Sequence, residues 1–291
     1  MKKATNVMIS AVSGVLLLTL CSGDLLAGDN LLNGGDGEDE GLLKKWTGAP
    51  SQRNTMEKKS GDASIQLWDI NWLFSPDLIP VDTSKTYELK AQIKTAKDKK
   101  PTQGLLGVRY YNADKMEMSA LSVCPVKGAI TTLAAAAKKG DKSVIIPGDA
   151  AWTAGSLFGV AFNAADDLSD LPNLSAVRMV NIKKKDSTLE VILKSPLETD
   201  YPAGTKVRQQ RYIDFTGMEF TTTDDWKELT LKLSGQNEPG SAPVKNQMWL
   251  GTKYIRIAIF SNMSGKVDNS VAVLFDDISF SEVSGVPEVK P

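Results

Sequence analysis

Residues 85–94 alternate without a break: Tyr87, Leu89, Ala91 and Ile93 fall on one side, and charged or amide residues fall on the other. A period of two is the mark of a half-buried strand. Shorter segments repeat it. Ile65-Gln66-Leu67-Trp68 alternates faces, and strands are predicted over 105–111 and 116–123. Further strand-like segments follow at 143–147, 157–162, 177–183 and 188–194, then at 228–233, 254–260 and 271–280. Turn residues separate them, among them Pro147-Gly148-Asp149, Leu171-Pro172-Asn173 and Tyr201-Pro202-Ala203-Gly204. The only helix-like stretch is 131–139, with four consecutive alanines. Short strands at regular spacing predict an all-β sandwich or barrel. The run 234–246, with two prolines and two glycines, reads as a surface loop.

A different pattern opens the chain. Lys2 and Lys3 precede an apolar stretch over 7–20, and small residues follow from Cys21 to Gly28. The stretch is too short for a membrane span of about 20 residues. Its order is that of a secretory signal peptide, so residues 1–27 are expected to be removed on export. Leu18-Thr19-Leu20-Cys21 is similar to a bacterial lipobox. Leu20 stands where a small residue belongs, which ranks lipid anchoring at Cys21 below simple cleavage. The expected location is secreted or on the cell surface, with no stable membrane span.

Composition narrows the function classes. Cys124 is the only other cysteine, so the exported part has no internal disulfide. At about 265 residues a core can carry the fold without one. With 34 basic and 35 acidic residues the net charge is −1, and no basic stripe offers a track for nucleic acid. Histidine is absent, which removes the side chain most used for acid–base catalysis, triads and zinc. No Gly-x-Ser-x-Gly elbow, no phosphate-binding glycine loop and no identifiable carboxylate pair is present. The chain is expected not to be an enzyme.

Two ends of the sequence carry paired signals. Asn30-Leu31-Leu32-Asn33-Gly34 with Glu38, then Trp46, resembles the "NLL-NG-x-FE … W" opening of jelly-roll carbohydrate-binding modules. The run from Val271 through Asp276-Asp277 to Phe280 resembles their closing "iDDvsl" strand. Thr86-Tyr87-Glu88-Leu89 and Trp226-Lys227-Glu228-Leu229-Thr230 are similar to two strands between them. The resemblance implies a galactose-binding-like jelly-roll β-sandwich whose first and last strands lie side by side. The sandwich is expected over 28–126 and 212–285, with an inserted small β subdomain over 127–211 and a tail over 286–291.

Sugar rings present C–H faces that stack on aromatics, so exposed aromatic rings are the candidate ligand-binding residues. They are Trp68, Trp72, Tyr110 and Tyr111. In one extended strand Trp68 and Trp72 would share a face, whereas only one of Tyr110 and Tyr111 can point inward. Trp46, Trp226 and Trp249 are assigned to packing. The resemblance also implies a structural calcium held by Glu38 and Asp276. The expected partner is a poly- or oligosaccharide, bound non-covalently. The alternative is a structural or adhesive cell-surface β-sandwich without sugar binding, with other cell-surface proteins as partners.

Overall fold

A computed structural model of the protein describes residues 27–48, 51–212, 216–241, 244–263 and 267–283. The signal segment, Cys21 and the 286–291 tail lie outside the described residues, apart from Ala27. The alternation over 85–94 becomes strand β7 (Thr86–Thr95), in which Tyr87, Leu89, Ala91, Ile93 and Thr95 are buried and their neighbours are not. One side of β7 pairs with β17 (Lys227–Ser234) and the other with β19 (Ala272–Val283). From β19 this first sheet continues through β4 (Ser64–Trp68) to β3 (Gln52–Asn54). Strand β1 (Ala27–Asn30) also lies against β19, pairing Asn30 with Ser281. The opening and closing segments are therefore neighbours.

The second sheet runs β16 (Thr216–Thr221), β8 (Gln103–Tyr111), β18 (Tyr254–Phe260), β5 (Trp72–Phe74), β2 (Thr47–Gly48). Strand β6 (Ile79–Pro80) pairs with β18, and β9 (Glu117–Met118) pairs with β8. Ile65, Leu89, Ile93, Leu231, Phe275 and Phe280 of the first sheet meet Leu73, Leu106, Val108, Tyr110, Ile257 and Ile259 of the second in one apolar core. Full burial of such a side chain contributes about 1.5–3 kcal/mol. The product is a jelly-roll β-sandwich, as the resemblance implied.

All six strands of a third sheet fall between β9 and β16 in the chain. Its order is β10 (Pro125–Thr132), β15 (Lys206–Arg211), β12 (Phe158–Phe162), β13 (Val177–Lys185), β14 (Thr188–Leu193), β11 (Ser143–Pro147). Val144, Ile146, Val160, Phe162, Val191 and Val207 form a core of its own. The buried Arg208 pairs with Asp170 at 2.7 Å. Burial raises the Asp170 carboxyl, but Arg208 and Asn173 outweigh it and hold the group below its ordinary value.

Local expectations failed in three places. Strand β10 ends at Thr132, and the alanines beyond it are not helical. Instead Ala134 donates to the Ile145 carbonyl and Ala137 exchanges hydrogen bonds with Tyr201, so cross-chain pairing overrides alanine's helix preference. The strand expected over 116–123 stops at Met118, and a 3-10 turn (Ala120–Ser122) replaces its end. A one-turn helix, α1 (Glu40–Leu43), sits in the acidic opening loop. The Asp39 carboxylate caps it, accepting from the N–H groups of Gly41 and Leu42. Among the described residues no helix is long and apolar enough to cross a membrane.

Candidate functional site

Trp68 and Trp72 do not share a face. Trp68 ends β4 in the first sheet and Trp72 starts β5 in the second. Between them Asp69 adopts a left-handed backbone with φ 53°, and the Asn71 amide donates to the Trp68 carbonyl. The Ser261 hydroxyl donates to the Asp69 carbonyl and ties the turn down. The chain crosses from one sheet to the other within the three residues between them, so the even spacing that implied a shared face does not apply. Trp68 lies on the outer side of the first sheet, packed with Trp226 against Ala96, Ala272 and Leu274.

Trp72 instead opens an aromatic stack on the outer side of the second sheet. Its ring lies 4.4 Å from that of Phe260, its cross-strand partner, with 21° between the planes. Phe74, two residues on and therefore on the same side, stacks at 5.9 Å and 7°. All three rings are half-buried. Next to them runs a row of small residues, because Phe74 pairs across the sheet with Ala258, Ala258 with Gly107, and Gly107 with Gly217. The row is forced at its centre: a Cβ on Gly107 would sit 2.2 Å from the Thr216 carbonyl oxygen.

Over this row reaches Arg109. Its guanidinium carbon lies 4.4 Å from the Phe74 ring centroid and 5.6 Å from that of Trp72. It pairs with Glu117 at 2.7 Å. Arg256 stands directly opposite Arg109 across the β18–β8 pair. It donates to the carbonyls of Ser75 and Pro76 and to the Thr47 hydroxyl. Tyr111 points to the same side but is only 8% exposed, so it is not the exposed ring expected from the sequence; its hydroxyl donates to the second Glu117 oxygen at 3.3 Å. Burial first, then the Glu117 charge, pushes its phenol above the ordinary value.

Tyr110 is the inward member of the tyrosine pair. It is 0% exposed, its ring lies 4.8 Å from that of Trp249, and its hydroxyl donates to the Gln247 carbonyl. Of the four aromatic candidates, then, the structure brings Trp72 and Tyr111 to one face and places Tyr110 in the core and Trp68 on the opposite side. Trp46 and Trp249 are buried, and Trp226 packs against an apolar patch. The sequence reading missed Phe74, Phe260, Arg109, Arg256 and Glu117. The signal for two of them was present: Phe74 follows Trp72, and Arg109 precedes Tyr111, by two residues in a strand.

Glu38 and Asp276 converge on one loop. Glu38 accepts from the N–H groups of Asp62 and Ala63, the shortest at 2.8 Å. Asp276 accepts from those of Lys59, at 2.7 Å, and Ser60. Asp276 is 0% exposed and, among the described residues, forms no ion pair; burial raises its carboxyl above the ordinary value despite three N–H donors. Two carboxylates of which one is buried without a cation fit calcium in charge and in donor type. Among the described residues no three metal-ligating side chains come together, so main-chain oxygens would have to complete a shell. A surface depression of about 500 Å³ lies elsewhere. It is lined by Glu40, Leu43, Lys44, Trp46, Arg53 and Thr55, and its one aromatic residue is a buried core tryptophan.

No family model matches the sequence, and no curated protein sequence matches it. Solved structures similar to the chain include carbohydrate-binding modules. The CBM22-1 xylan-binding domain of Paenibacillus barcinonensis Xyn10C is 12% identical, with 89% of this chain and 98% of that one covered and a TM-score of 0.39. A family 16 carbohydrate-binding module gives 12% identity, 86% and 99% coverage and 0.37. The C-terminal family 22 module of Clostridium thermocellum Xyn10B gives 8%, 91% and 96%, and 0.34. At these values the likeness carries no weight of its own; the fold rests on the strand register and the shared core.

Proposed function

We propose that the protein is exported and binds a glycan non-covalently on the outer face of the second sheet. The observation that carries this reading is the Trp72–Phe74–Phe260 stack, half-exposed and flanked by Arg109, Arg256, Tyr111 and Glu117. Rings supply a flat apolar surface for sugar C–H groups, and the charged and hydroxyl side chains supply hydrogen bonds for sugar oxygens. Glu117, the carboxylate engaged at this face, is already held by Arg109 and Tyr111, which suits recognition rather than hydrolysis. We propose in addition that Glu38 and Asp276 hold a structural calcium.

A glycan array of the chain from Gly28 onward, followed by titration of the best hit, tests the reading. Trp72→Ala is expected to weaken binding by about 30-fold or more, the size of an interface hot spot. Trp68→Ala, on the other side of the molecule, is expected to leave it within about twofold. Equal losses from the two, or silence of the folded protein across plant, algal and host glycans, would move the function to a structural or adhesive role.

A further inference from the structure

The two arginines of this face are placed against the ordinary rule for surface strands. Arg109 and Arg256 are direct cross-strand partners on β8 and β18. Like charges so placed repel, and sheets normally avoid the arrangement. Among the described residues Arg109 pairs with one carboxylate, Glu117, which also accepts from the Tyr111 hydroxyl, and Arg256 pairs with none. Arg256 donates to neutral oxygens of Ser75, Pro76 and Thr47 and lies close enough to the Tyr111 phenol to act on it. The Arg109 side chain is 28% exposed, but its Nε is buried without an acceptor, so a ligand would meet the terminal nitrogens, of which Nη1 holds Glu117. The Arg109 guanidinium carbon lies over the Phe74 and Trp72 rings, 4.4 and 5.6 Å from their centroids. Elsewhere on the same face Lys115 lies 5.7 Å from the Tyr254 ring, and Glu219 stands at the far edge strand. The centre of the face is cationic.

Resting on the glycan-binding reading above, we infer that the ligand is an anionic glycan whose carboxylate or sulfate group is received between Arg109 and Arg256 while its sugar ring packs on the Trp72–Phe74–Phe260 stack. An anion there offsets the repulsion between the two guanidiniums and accepts from their terminal N–H groups. Guanidinium forks suit both groups, since each presents paired oxygens. A neutral glycan offers the rings the same surface and leaves the two charges unanswered.

Matched polymers separate the inference from the reading it rests on. Polygalacturonate and alginate are titrated beside their carboxyl-reduced forms, and carrageenan beside its desulfated form, so that each pair shares a backbone and differs in charge. The inference expects at least one acidic polymer to bind about tenfold or more tightly than its neutral partner, the size of a charge-assisted hydrogen bond. That preference should shrink as salt rises from about 0.01 to 0.15 M. A gain with the uronans identifies a carboxylate, and a gain with carrageenan a sulfate ester. Arg109→Gln and, separately, Arg256→Gln should reduce acidic-polymer affinity by a similar factor, whereas Lys232→Gln on the opposite sheet should not. Equal affinity for charged and neutral partners overturns the inference and leaves glycan binding standing. No binding to any polymer overturns both. Where an arginine variant fails to fold, the polymer pairs on the unaltered protein decide alone.

Discussion

The two outer faces of the sandwich treat charge in opposite ways. On the first sheet Lys232 stands directly across from Glu88, at 3.7 Å, and Lys90 reaches the same carboxylate at 2.6 Å. Lys94 meets Glu57 at 2.7 Å, and Lys85 meets Glu282 at 2.8 Å. These lysines lie against carboxylates, two of them sharing Glu88, and Trp68 and Trp226 pack on Ala96, Ala272 and Leu274. On the second sheet the same kind of cross-strand position holds Arg109 against Arg256, laid over a stack of three rings. A surface that only has to stay soluble settles its charges within itself. Two guanidiniums opposed beside an apolar platform favour the second face, and not the one carrying Trp68, as the proposed site.

Calcium gives the largest expected change on the first sheet, where Asp276 is buried and, among the described residues, has no counter-ion. An ion at about 100 times its dissociation constant stabilises the folded state by about 2.7 kcal/mol. For a chain of this size that raises Tm by roughly 5–10 °C. Scanning calorimetry with calcium and with a chelator should show the shift, and Asp276→Ala should abolish it. Identical melting in both buffers would return Glu38 and Asp276 to a plain clamp on loop 57–63, and the contrast between the faces would then be complete.

How much of this could be read along the chain depends on whether a local rule or a tertiary one decides. Strand β7 was legible residue by residue because its alternation is uninterrupted and both flanking strands bury the same side. The neighbouring ends of the chain were legible too, through motifs that pair β1 with β19. Trp68 and Trp72 were misjudged because one left-handed residue, Asp69, ends an alternation that composition alone continues. Asp tolerates that backbone far better than most residues, but nothing local says that it adopts it here. Arg109 and Arg256 were invisible as a pair, since 147 positions separate two residues that only the β8–β18 register brings together. The site is legible in its rings and not in its charges.

Acid should sharpen the comparison next. Burial raises the Glu57 carboxyl, but the Lys94 ammonium and the Lys97 N–H outweigh it, and the group ends below its ordinary value of 4.5. A carboxyl lowered by folding adds stability that is present above the unfolded-state value and fades as pH falls through the folded one. Glu57→Gln should therefore cost about 1 kcal/mol at pH 7 and next to nothing once both states are protonated. Denaturant melts of the two proteins across that range measure it. A constant difference at all pH values would mean that Glu57 acts through packing and not through its charge.

The smallest effect bears most directly on the contrast, because it concerns a sign. Double-mutant cycles on Glu88 with Lys232 and on Arg109 with Arg256, using Gln or Met replacements, isolate each cross-strand coupling from everything else the four side chains do. That isolation matters for Arg109, whose contacts with Glu117, Trp72 and Phe74 cancel out of the cycle. Each coupling should measure roughly 0.2–1 kcal/mol, attractive for the first pair and repulsive for the second. Raising the salt should shrink both toward zero, since charges this close to solvent are screened. If the arginine coupling comes out attractive, the guanidiniums are stacked on one another and need no third party. If it is repulsive without glycan and vanishes with an acidic one bound, the repulsion stored between β8 and β18 is what the ligand relieves.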